Sequence, residues 1–514
     1  MGHSRGQSAI YQETLIAEYN DNPLIEALPP ILSELRAAEA IASYPKMNER
    51  ERELPAEIRL HCIGRLGTLI QPLPIHLELE SAVSILLRRG YVGRNPMLSS
   101  TWRHLHTLSN EQLKMSGFTS SAGTFSLVGL SGIGKSTALD SILRLYPQVI
   151  VHRCHKQKEF IQKQIVWLKL ECPFDGSLSG LCHAFFRAVD QALGIEKYVL
   201  RFTKKASVLL MIQRMAKLSG TYFIGGLFID ELQHLNSAKA GGKDNMLNFF
   251  VNLINEIGIP VVFIGTNSMI NLFADVMRNA RRGCGLGTID FKQPKENDVS
   301  WNMLVEAVWD YQWVKKPVEL TDQLSAVLYD LTQGVTDFLA KMMILGQRYA
   351  IQSGLETLNE NVFQHVADTK MKLLKPAIAA LRSGDPQKMC LFEDLLPTDA
   401  QIAAMMDEDE LPDSAQRIAL LRQLKGATGT KINVENISEE LKPSAVAKTE
   451  VAAPTVFEKS VATSNAIIAK SSIALIISED SDPLSKLREA NWLVFDAFEF
   501  SDVYSGKARI PKAS

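Results

Sequence analysis

Short apolar runs recur along the middle of the chain: "TFSLVGL" (124–130), "QVIVH" (148–152), "QIVWLKL" (164–170), "GLFID" (226–230) and "PVVFIGT" (260–266). They are nearly continuous and rich in β-branched or aromatic residues, the pattern of strands buried on both faces. Stretches with helical period separate them. The alternation predicts βα units and a parallel sheet flanked by helices over roughly 61–300. From about 301 to 390 the period becomes helical throughout, in "NDVSWNMLVEAVWDYQW", "TDQLSAVLYDLTQG", "VTDFLAKMMILGQRYAIQSG" and "NENVFQHVADTKMKLL". Gly334 and Gly354 read there as C-terminal stops. This predicts a small helical domain behind the sheet domain. Residues 1–60 mix polar helical stretches with a proline-bearing segment, "YNDNPLIEALPPI", and suggest a region for partner interaction.

After about 395 the character changes. An acidic stretch begins at "DEDE" (407–410), and "KPSAVAKTEVAAPTVFEKSVATSNAIIAKSS" has no clear period. Residues 391–481 read as a flexible linker. The last segment, 482–514, gathers Leu484, Leu487, Trp492, Leu493, Val494, Phe495, Phe498 and Phe500. Aromatic anchors on a tether predict a docking segment for another protein, with folding back onto its own chain as the alternative.

Composition narrows the class. The 514 residues are 46% apolar and 22% charged, with a net charge of −2, so any nucleic-acid contact must come from a local basic patch. No apolar run reaches the roughly 18 residues that a membrane span needs. The first residues lack the apolar core of a secretory signal. Six cysteines without a Cys-x-x-Cys pair predict reduced thiols and a cytoplasmic protein. "HRCH" (152–155) crowds three metal-capable side chains but lacks a second ligand pair, so no metal centre is expected there.

Chemistry is concentrated in "SLVGLSGIGKSTALD" (126–140), which fits G-x-x-x-x-G-K-[ST] between a strand and a helix. Gly129, Ser131, Gly132, Ile133 and Gly134 would turn backbone N–H groups toward phosphate oxygens, and the following helix adds its positive end. Lys135 would reach the β- and γ-phosphates of ATP, Ser136 would ligate Mg²⁺, and Thr137 completes the cradle. In "GGLFIDELQHL" an acidic pair ends a strand: Asp230 would hold Mg²⁺ and Glu231 would polarise the attacking water. Thr266 and Asn267 end the next strand, where a polar side chain can position water. Tyr91 and Val92 in "GYVGRNP" would pack on the adenine, unless that stretch is a simple turn. The order of P-loop, acidic strand, polar-tipped strand and helical domain is that of AAA+ ATPases. Within that fold Arg278, Arg281 and Arg282 are candidates for an arginine finger acting on a neighbouring subunit.

The chain also resembles a particular family. "YNDNPLIEALPPI", "QPLPIHLELE", "RGYVGRNP", "SGIGKST", "YPQVIVHR", "DELQHL", "MLNFFVNLINEIGIPVVFIGT", "RNARRGCGLG" and "AALRSGDP" are collinear with the TnsC family, the AAA+ regulators of Tn7-like transposons. The resemblance runs over roughly 10–386. It implies an ATPase that assembles as a ring or filament on double-stranded DNA, without reading sequence. It also implies a link from a target selector, a DNA-binding protein or CRISPR complex, to transposase and endonuclease subunits. Where many AAA+ proteins carry a lid arginine in Gly-x-x-Arg, this chain reads Gly334-Val-Thr-Asp337. Two basic clusters are candidates for phosphate contact: Arg201, Lys204 and Lys205, which we favour, and Arg153, Lys156, Lys158 and Lys163. The competing readings are a replication-initiator or clamp-loader-like ATPase and a signalling NTPase that oligomerises without DNA.

Overall fold

The computed structural model describes residues 6–109, 121–204, 206–237, 258–269 and 287–385, together with 249, 250, 254 and 388. Its strands are β1 (Gln7–Ser8), β2 (Thr124–Gly129), β3 (Val149–His155), β4 (Lys158–Ile165), β5 (Trp167–Glu171), β6 (Gly226–Asp230), β7 (Val261–Gly265) and β8 (Thr288–Phe291). The main sheet has the order β5-β6-β7-β2-β8 and is parallel throughout. Every residue of β2, β6 and β7 is buried, as continuous apolar runs in the middle of a two-faced sheet require. Successive residues feed opposite cores. Phe125, Leu127, Phe228, Val262 and Ile264 enter one, and Val128, Leu227, Ile229, Val261 and Phe263 enter the other. Because the strands are parallel and in register, β2, β6 and β7 all end at one edge. There the P-loop, Asp230 and Thr266 meet, the usual ligand edge of an open α/β sheet.

Two of the apolar runs divide differently from the sequence expectation. "QVIVH" forms a strand, but outside the main sheet: β3 pairs antiparallel with β4, and β1 adds parallel to β3. The cause lies in the turn. Lys156 and Gln157 both take positive φ, 46° and 65°, as a two-residue hairpin turn demands. "QIVWLKL" breaks at Val166, ending β4 on one side and opening β5 on the other. The edge strand β8 was not expected, since "TIDF" is short and half polar; its exposure alternates accordingly.

The N-terminal region folds onto the sheet domain. Leu24, Ile25 and Leu28 share one apolar cluster with Leu79 and Val83 of the helix Pro74–Val92, with Leu139 behind the P-loop, and with Leu304 and Leu339 of the helical domain. Asn22 caps the helix Pro23–Glu26 and donates through Nδ2 to the Tyr91 carbonyl at 2.9 Å. The histidines of "HRCH" are used structurally. His155 Nε2 lies 2.6 Å from Glu26, and His152 bonds Tyr11 and Gln164. Among the described residues no group of His, Cys, Asp or Glu is arranged to hold a metal ion.

The helical domain comprises Val299–Trp309, Asp322–Thr332, Thr336–Gln352, Glu360–Thr369 and Lys375–Ser383. Gly334 (φ 71°) and Gly354 (φ 76°) follow its second and third helices in the left-handed conformation that ends a helix cheaply. Arg59, from the helix Ala56–Ile63, is 1% exposed and joins this domain to the N-terminal region. Its Nη1 donates to the Trp313 carbonyl, and Nη1 and Nη2 meet both oxygens of Glu356 at 2.7 and 2.6 Å. Among the described residues no helix is long and apolar enough to cross a membrane. The segments 391–481 and 482–514 lie outside the described residues.

Candidate active site

The loop between β2 and the helix Lys135–Leu143 owes its shape to its glycines. A side chain at Gly129 would place Cβ 2.5 Å from the Phe291 carbonyl oxygen, so glycine lets β8 pass beside the loop. Gly132 and Gly134 take φ of 76° and 102°, which L-residues with side chains avoid. At Gly132 an added Cβ would also press on Asp337 at 3.3 Å. Lys135 is buried, and its Nζ donates to the carbonyls of Gly129 and Leu130 at 2.8 and 2.7 Å. The ammonium is thereby held over the loop's concave side.

Ser136 Oγ donates to Asp230 Oδ2 at 2.7 Å, so a hydroxyl and a buried carboxylate converge at the foot of the loop. This all-oxygen pair suits Mg²⁺, which prefers a few protein oxygens and otherwise keeps water or phosphate ligands. Ser136 and Asp230 would hold the ion, and bound there it would neutralise phosphate charge. Lys169, on β5, lies 2.8 Å from Asp140 and 3.4 Å from Asp230, tying the P-loop helix to the acidic strand.

Glu231 is exposed and takes φ of 56°, unusual for a residue with a side chain. Asp230 Oδ1 accepts its N–H at 2.9 Å, and Gln233 Nε2 donates to its carboxylate. The same Gln233 accepts the Thr266 N–H through Oε1 at 3.4 Å, so one amide links the ends of β6 and β7. The helical domain closes the site from above. The Asp337 N–H donates to the Gly132 carbonyl and Thr336 Oγ1 to the Ile133 carbonyl. Lys341 pairs with Asp337 one helical turn away.

These groups line one cavity of about 500 Å³, of the size that a nucleotide fills. Its lining joins residues 131–137, Asp230, Glu231, Gln233, Thr266, Asp337 and Lys341 to the apolar side chains of Leu66, Leu69, Ile70, Phe291, Leu304, Val308 and Ile344, with Gln71 and His76 among them. All the phosphate-cradle candidates from Ser131 to Thr137 therefore sit together with Asp230, Glu231 and Thr266. Asn267 opens a short 3-10 turn and does not line the cavity. Tyr91 and Val92 do not line it either, which corrects the adenine assignment. Tyr91 is fully buried and donates from its hydroxyl to the Phe223 carbonyl at 2.9 Å, and Val92 packs on the core. Both close a 19-residue helix whose opposite end, near His76, faces the cavity. Gln233, Lys341 and the stretch 66–73 escaped sequence reasoning. The polar residue two positions after the acidic pair and the apolar "TLIQPLPIH" were their only signals.

Residues 119–273 match the family model of the AAA domain. The fold is that of a P-loop AAA+ ATPase. No curated protein matches the sequence. Solved structures are similar at low identity. The Walker-type ATPase of Pyrococcus abyssi is 12% identical, with 59% of this chain and 87% of that one covered and a TM-score of 0.33. The Aeropyrum pernix ORC2 protein is 13% identical over 53% and 68%, with a TM-score of 0.32. Drosophila ORC bound to DNA is 16% identical over 77% and 84%, with a TM-score of 0.30.

The AAA+ site gives a direct expectation for Lys135→Ala. Removing the ammonium deletes charge-assisted bonds worth roughly 1.5–3 kcal/mol, so nucleotide affinity should fall at least about 10- to 100-fold. Titration with a fluorescent ATP analogue reads this, and unchanged affinity would detach Lys135 from the phosphates.

The described candidates for DNA contact lie outside the cavity lining. Arg153 and Lys158 are exposed on the β3–β4 hairpin, whereas the Lys156 ammonium is engaged by Asp21 at 2.6 Å and Glu26 at 3.3 Å. Arg201 and Lys204 are exposed on and just after the helix Tyr198–Thr203, in the interval between β5 and β6. Lys205, Arg278, Arg281 and Arg282 lie outside the described residues.

Proposed function

We propose that this ATPase assembles on double-stranded DNA in its ATP-bound, Mg²⁺-loaded form and connects a target-site selector to a transposase. Hydrolysis limits the lifetime of the assembly. The observation that carries the reading is the collinear set of TnsC-like motifs. The set extends well beyond a generic P-loop, and two of its members, "YNDNPLIEALPPI" and "QPLPIHLELE", contribute Leu24, Ile25, Leu28 and Leu79 to the core that also holds Leu139. The resemblance thus spans a unit that folds together. A sequence-independent duplex contact is supported by the exposed Arg201 and Lys204. The arginine finger is assigned to Arg278, Arg281 or Arg282, and the segment 482–514 to docking of a transposase or endonuclease subunit.

The test has two arms. Replacing Arg201, Lys204 and Lys205 together should weaken binding to unrelated duplexes alike and reduce the salt slope by up to about three, close to one per lost phosphate contact. An unchanged slope would move the contact to Arg153, Lys158 and Lys163. In the second arm, the full chain on DNA with ATP should capture transposase and endonuclease subunits of a Tn7-like transposon. Duplex binding without such capture would favour a replication-initiator-like ATPase.

A further inference from the structure

Two polar side chains of the cavity lining lie outside the phosphate chemistry: Gln71, whose amide accepts from the Tyr44 hydroxyl and donates to the Pro72 carbonyl, and His76. His76 sits in the first turn of the helix Pro74–Val92 and is 8% exposed. Its Nδ1 accepts the Leu73 N–H at 3.1 Å. In a neutral imidazole whose Nδ1 accepts, the proton is on Nε2, which is therefore a donor. Burial pushes the ring's pKa down to about 4, so the neutral form prevails near pH 7. Phe291 meets the ring edge-on, with centroids 5.7 Å apart and planes at 83°, and together with Leu73 fixes its orientation. Among the described residues nothing accepts from Nε2, although His76 lines the cavity.

An oriented imidazole donor set among Leu66, Leu69, Ile70, Phe291, Leu304 and Val308 fits a flat heteroaromatic ring that has an acceptor on its edge. We propose that His76 selects the nucleotide base, donating from Nε2 to a ring nitrogen of adenine held between the 66–73 stretch and the helical domain. The proposal rests on the cavity being the ATP site. It adds the residue that reads the base, which the P-loop does not touch. His76 is a specificity-determining residue: it contacts the base and takes no part in phosphoryl chemistry. A buried donor left without an acceptor is costly, so a base lacking the right nitrogen should bind less well.

The experiment measures binding of ATP and its 1-deaza, 3-deaza and 7-deaza analogues to the full chain, to His76→Phe and to His76→Gln. In the wild type one analogue, lacking the accepting nitrogen, should bind about 10-fold more weakly than ATP, and the other two should match it. His76→Phe should bind ATP about 10-fold more weakly and no longer discriminate among the four ligands. His76→Gln, which retains an N–H donor, should recover part of the discrimination. All three analogues binding the wild type as ATP does, or discrimination surviving in His76→Phe, would overturn the proposal while leaving the ATP site intact. A wild-type chain that binds none of the four would remove the nucleotide site itself, and this proposal with it.

Discussion

Glu231→Gln should bind ATP with close to wild-type affinity and hydrolyse it roughly 10²–10⁴ times more slowly, the range for loss of a positioned general base. Glu231 follows Asp230 at the end of β6, and its left-handed backbone turns the side chain out of the strand into the cavity. Strain of this kind, of order 1–3 kcal/mol, persists where the surroundings impose it and is typical of functional sites. Asp230 fixes the Glu231 N–H, and Gln233 holds the carboxylate. A carboxylate can take the proton of an attacking water, whereas the isosteric amide cannot. The pair Ser136 and Asp230, which would hold Mg²⁺, is untouched by the substitution, so binding and turnover should separate. Phosphate release and nucleotide titration on the same preparation read both quantities. Wild-type turnover in the variant would transfer the base to another residue.

Glu356→Ala should lower stability by about 3–5 kcal/mol, the cost of stranding a buried charge. Arg59 keeps the Leu54 and Trp313 carbonyls in the variant, but among the described residues no other carboxylate pairs with its guanidinium, which is 1% exposed. Chemical denaturation monitored by tryptophan fluorescence is a suitable probe, because Trp313 lies beside the pair. The pair also sets a pH dependence. Hydrogen bonding to Arg59 holds the Glu356 carboxyl below its ordinary range. Its contribution is therefore complete at neutral pH and is lost as the pH falls through that depressed value. Glu356→Ala should flatten the acid limb of the stability curve. A loss below about 1 kcal/mol would show that solvent reaches Arg59 and screens it.

Much of this was legible in the chain because its signals are local. The P-loop spacing, the acidic pair after "GGLFI" and the Gly334 and Gly354 stops each depend on a few adjacent residues, and each sits where its pattern says. Long-range partners were not legible. "QVIVH" looks like any buried strand, and only the Lys156–Gln157 turn directs it into a hairpin instead of the main sheet. Tyr91 has the composition of a base-stacking residue, but it falls at the far end of its helix from the cavity. His76 and Gln233 lie in unremarkable sequence, and their roles depend on contacts with Leu73, Phe291 and Thr266. The Arg59–Glu356 pair spans 297 positions and has no sequence signature.

The proposed function turns on one equilibrium: assembly on duplex DNA should follow the state of the nucleotide. Sedimentation velocity of the full chain with an unrelated-sequence duplex, compared in ATP with Mg²⁺, in ADP and without nucleotide, measures it directly. Large protein–DNA particles in ATP, their persistence for Glu231→Gln, and their absence in ADP and for Lys135→Ala are the predicted results. A chain that stays off DNA in every nucleotide state, or that binds it equally well in all of them, would contradict the account.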